Sequence, residues 1–61
     1  MGMNTFYEFG SGRSVSLSAS AVASVSPDPD NEELVRIELV NGSKYTVKAD
    51  INSVRKWVEA G

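Results

Sequence analysis

The chain has 61 residues, a net charge of −2 and neither cysteine nor histidine. That length allows one core, and a chain so short buries only about 60% of the surface its unfolded form exposes. Disulfides, thiolate metal sites and histidine ligands or bases are excluded, which leaves oligomerisation as the remaining support for so small a fold. The acidic balance, with a pI near 4.8, argues against nucleic-acid binding by phosphate neutralisation. No apolar run is long enough for a membrane span, and no signal-peptide pattern opens the chain. Met1 and Met3 read as alternative starts, and Phe6 stands where a myristoylation signal at Gly2 needs Ser or Thr. The expectation is a single soluble, cytoplasmic domain over residues 1–61, with no metal and no cofactor.

Thr5 to Phe9 is rich in aromatics and reads as a strand. Gly10-Ser11-Gly12 is a turn, and Arg13 to Leu17 alternates, with Val15 and Leu17 on one face and Ser14 and Ser16 on the other. A three-residue loop with Gly12 left-handed would oppose Tyr7 to Val15 and Phe9 to Arg13, gathering the apolar residues on one face. Ser18 to Ala21 reads as a corner, and Val22 to Ser26 as a third strand whose valines break strict alternation. Pro27 to Glu33 is an acidic loop whose two prolines forbid a regular ladder. Its Asp28, Asp30 and Glu32 have the spacing of the first ligands of a calcium loop, but the Gly at the sixth position and the Glu at the twelfth are missing.

Leu34 to Leu39 alternates, with Val35, Ile37 and Leu39 inward and Arg36 and Glu38 outward. Asn41-Gly42 is a strong hairpin signal. A three-residue loop, Val40-Asn41-Gly42, opposes Ile37 to Tyr45 and Val35 to Val47, whereas a two-residue loop would split the apolar face. Ser43 to Lys48 is the closing strand. Asp50 is placed to cap a helix whose stripe is Ile51, Val54, Trp57 and Val58, and Gly61 can end it. About ten residues of helix are too few to stand alone, so the helix must dock. The expected fold is α+β: a small curled antiparallel sheet of about five strands closed by one C-terminal helix, in the order β-β-β-β-β-α.

Phe9, Gly12, Val15, Leu17, Val22, Val25, Ile37, Leu39, Asn41, Gly42, Tyr45, Val47, Lys48, Ile51 and Val54 together form a pattern that resembles the FlbD-type small flagellar proteins. The resemblance spans nearly the whole chain and implies a flagellar accessory role. A small phage or mobile-element protein of the same architecture is the competing reading. The last hairpin also resembles LytTR-type DNA-binding domains, without their basic face.

No enzyme is expected. The serines lack a histidine partner and a nucleophile-elbow context. Gly10 to Ser14 could offer N–H groups and a guanidinium to a phosphate, although a bulged hairpin turn explains both glycines without a ligand. Trp57 is either a core anchor or an interface residue. Two function classes remain. One is a homo-oligomeric interaction or adaptor module whose outer apolar residues, Phe6, Leu34, Val40 and Trp57, meet another copy or a host protein. The other is a phage-encoded binder that sequesters a nucleotide signal between subunits. It would hold phosphates with Arg13, Arg36, Lys44 and Lys48 and stack the base on Tyr7 or Tyr45.

Overall fold

The computed structural model of the protein describes residues 2–61, and the reading of Met1 as a start lies outside them. The fold is α+β, with five strands followed by one helix. The strands are β1 (Met3–Tyr7), β2 (Ser14–Ser18), β3 (Val22–Pro27), β4 (Leu34–Leu39) and β5 (Lys44–Lys48). The helix is α1 (Ile51–Ala60), and a single 3-10 turn at Ala19–Ala21 makes the corner between β2 and β3. All pairings are antiparallel. The strands form two sheets where one was expected: a β1–β2 hairpin and a β3–β4–β5 meander. They meet at one bridge, Glu8 with Val47, beside which the Phe9 N–H donates to the Thr46 carbonyl at 2.8 Å. β1 reaches β5 only where its chain enters the turn, so the ladder does not continue along its length.

The second hairpin has the expected register. Ile37 opposes Tyr45 and Val35 opposes Val47. The Leu39 N–H donates to the Ser43 carbonyl, the Gly42 N–H turns back to Leu39, and Gly42 sits at φ +91°. A three-residue loop with a left-handed glycine follows the right-handed twist of its strands.

The first hairpin departs by one residue. Phe6, not Tyr7, opposes Val15, and Tyr7 opposes Ser14. The Glu8 N–H donates to the Arg13 carbonyl, which leaves Phe9, Gly10, Ser11 and Gly12 as a four-residue turn closed by the Gly12 N–H on the Glu8 carbonyl. Gly12 does take a positive φ of 71°. A slip of one residue exchanges the faces of a strand, so Phe6 enters the core at 6% exposure while Tyr7 stays 64% exposed. Of two adjacent aromatics, the one without a hydroxyl is buried at no polar cost.

β3 resolves its broken alternation with a register shift between Val22 and Ser24. The extra residue at Ala23 lets Val22 and Val25 both pack against the core. Pro27 still pairs, opposite Val35, because its missing N–H falls on the outer edge where no ladder bond is made. The core is Phe6, Leu17, Val35, Ile37, Val47 and Val54.

Asp50 caps α1 through Oδ2, which accepts from the Ser53 N–H at 3.0 Å. Val54 is the helix residue driven fully into the core, and α1 lies against β3 and the 3-10 corner. Gly61 caps the other end on the Trp57 and Val58 carbonyls. A Cβ on Gly61 would run into the Ala19 methyl and lie 3.4 Å from the Gly2 Cα, so glycine is needed for that approach. Among the described residues no helix is long and apolar enough to cross a membrane.

Candidate functional site

The six expected ligand residues do not converge. Arg36 and Lys44 lie diagonally on the polar face of the meander, where they flank a concavity of about 390 Å³ with Ser24, Ser26, Glu38 and Thr46. Each has an acidic neighbour. Arg36 Nε is 3.4 Å from Asp28 Oδ2, and Lys44 stands opposite Glu38 in the register. Asp28 also accepts the Asp30 N–H on Oδ1 at 2.8 Å, so its carboxylate serves both the loop and the arginine.

Tyr45 borders the same concavity, yet it pairs with Ile37 on the core-facing side and its side chain packs against the core. It is therefore no stacking platform beside the two cations. Tyr7 and Arg13 belong to the first hairpin, and both are exposed. Lys48 borders a separate shallow depression with Glu32, Glu33 and Asp50, an acidic surrounding that disfavours a phosphate.

Of the four residues expected to face outward as an interface, two are buried. Phe6 packs edge-on against Trp57, with ring centroids 5.2 Å apart and planes at 64°. Leu34 is 5% exposed, enclosed where the acidic loop doubles back. Its carbonyl accepts the Asp28 N–H and its own N–H donates to the Asn31 carbonyl, both at 3.1 Å. The alternation that put Val35 inward implied an outward Leu34, and the structure buries both, at the point where the loop's main chain is bonded to Leu34. Trp57 is half-buried, and its Nε1 donates to the Gly2 carbonyl at 2.7 Å, which makes it an anchor between the chain's two ends. Val40, at the tip of the second hairpin, is 71% exposed.

The apolar surface lies on the other hairpin. Met3 (64%), Tyr7 (64%) and Phe9 (61%) are all exposed, and Met3 and Tyr7 share the outer face of β1 with Thr5. Across from them on β2 stand Ser18, Ser16 and Ser14. The Thr5 and Ser16 hydroxyls bond at 3.1 Å. This stripe was hidden from sequence reasoning by the one-residue register error, which placed Tyr7 and Phe9 inside. No family model, curated protein or solved structure matches the chain.

Proposed function

We propose that the protein is a non-catalytic interaction module that works as a homo-oligomer and holds a protein partner on the outer face of the β1–β2 hairpin. The observation that carries this reading is the stripe of Met3, Tyr7 and Phe9, three large apolar side chains left in solvent by a chain with few to spare. Aromatic and methionine side chains are enriched in the buried centres of protein interfaces, and acidic residues are depleted there. Such an adaptor is compatible with the flagellar role that the FlbD-type resemblance implies and equally with a phage protein that engages a host factor. The first test is light scattering on the purified chain. Self-association at micromolar concentration is expected, and a stable monomer there would sink the homo-oligomer reading.

A second reading keeps the nucleotide-like ligand at the concavity beside Arg36 and Lys44, favoured by the neighbouring cations. Its charge is offset by Asp28 and Glu38, so it ranks below the first. A thermal melt that does not move with added nucleotide would remove it.

A further inference from the structure

We propose that two copies of the chain join through the outer edges of β2, paired antiparallel about a two-fold axis at Ser16, so that the two hairpins become one four-stranded sheet. This deepens the self-association reading above and rests on it.

The main-chain geometry of β2 is the starting point. The Glu8 N–H reaches the Arg13 carbonyl and the Ala19 N–H reaches the Gly2 carbonyl. Odd-numbered positions on β2 therefore turn their main-chain groups towards β1. Ser14, Ser16 and Ser18 turn theirs away. Among the described residues β1 is the only element packed closely along β2, which leaves this edge without a strand partner. A bare edge is a template for another strand, and proteins usually blunt it with charge, proline, a bulge or a covering element. β2 reads Ser-Val-Ser-Leu-Ser and has none of these.

The other edges are blunted, that of β5 by the exposed Lys44 and Lys48. β3 carries a register shift at its start and Pro27 at its end, and α1 lies against it. The second edge of β1 runs into β5 at Glu8 and Phe9, and the Thr5 N–H is taken by the Asn4 side-chain oxygen at 2.9 Å. A head-to-tail β2–β3 contact, which would propagate into a filament, is thereby blocked. The β2–β2 contact remains, and it is isologous and closes on itself.

The sequence of β2 suits that symmetry. With Ser16 on the axis, Ser14 of one copy meets Ser18 of the other, and Val15 meets Leu17. Polar faces polar and apolar faces apolar along the whole strand. No charge on β2 repels its own copy, and Val15, only half-buried in the single chain, gains an apolar neighbour. The three outward serines of each copy form up to about six main-chain bonds across the axis, two per hydrogen-bonded pair. The two Met3–Tyr7 stripes then lie on the same face of the joined sheet, about 14 Å apart, which is three strand spacings.

Ser16→Pro is the decisive variant. Its lost N–H points away from β1, so the hairpin's own ladder is untouched and only the exposed Thr5 hydroxyl bond goes. Its effect on the dimer is a dissociation constant raised on the order of tenfold or more. Ser16→Cys is the companion, since the chain has no cysteine of its own. The expected result is that Ser16→Pro sediments as a monomer with a parent-like circular dichroism spectrum, and that Ser16→Cys cross-links under mild oxidation much faster than Asn52→Cys on the exposed side of α1. If the parent associates and Ser16→Pro associates equally, the β2 edge is overturned and self-association stands. If the parent is monomeric throughout, both fall. Should Ser16→Pro not fold, the cross-linking rates decide, and equal rates at positions 16 and 52 overturn the proposal.

Discussion

At the scale of single residues, two adjacent aromatics have opposite fates. Phe6 is buried against Trp57 while Tyr7 faces solvent. Truncation to alanine should therefore cost about 3 kcal/mol or more at Phe6 and only tenths at Tyr7. Urea melts of the two variants check this, and the reverse ranking would restore the register that parity alone suggests. The turn glycines make a second residue-scale test. Gly12 and Gly42 have positive φ and open space around the position of a Cβ, so a side chain there meets backbone strain and no clash. Valine at either position should destabilise by roughly 1–2 kcal/mol, since a β-branched residue resists the left-handed region. Asparagine should cost less, and equal melting of the valine variant and the parent would contradict the turn geometry.

At the scale of elements, the helix shows what holds so short a segment. Val54 is 2% exposed, whereas Arg55 and Lys56 face solvent. Val54→Ala should lower stability by roughly 1–3 kcal/mol. Charge reversal at Arg55 or Lys56 should shift it by tenths, and a melt of Val54→Ala matching the parent would count against a docked helix. Element by element, the legibility of the sequence followed how many choices each segment offered. The second hairpin was readable to the residue because Val35, Ile37, Tyr45 and Val47 fit one face in only one register around Asn41-Gly42. The first was not, because Phe6, Tyr7 and Phe9 put apolar mass on both parities and Gly10 and Gly12 permit more than one turn. The uneven spacing of Val22 and Val25 was a bulge seen without its partner strand. The exposed stripe inherited the error of its strand, and the polar concavity was legible only as separate cations because Asp28 approaches Arg36 through the loop's fold.

At the scale of the whole molecule, two sheets hang together by little main-chain bonding. One bridge at Glu8 and Val47 and the packing of Phe6 and Leu17 onto the meander and helix join them. Local opening follows such seams. Native-state amide exchange at dilutions where the chain is monomeric should show the β1–β2 amides, such as those of Phe6 and Val15, less protected than those of Ile37 and Val47 in the meander. Identical protection in both would mean that the hairpin never opens without the rest. An openable hairpin carrying the apolar stripe places the least secured part of the fold where a partner would be held.

The Gly2 carbonyl has one further consequence. It receives both the Ala19 N–H and the Trp57 indole, and Gly61 closes in beside it at a distance only glycine allows. The first and last described residues therefore share one corner of the molecule, with Ala19 wedged between them. The order of the elements along the chain is then separable from their arrangement in space. A circularly permuted chain, joined from Gly61 to Gly2 and reopened in the acidic loop between Pro29 and Glu32, retains all five strands and the helix unbroken. By the same geometry, any two segments fused at Gly2 and Gly61 would leave side by side.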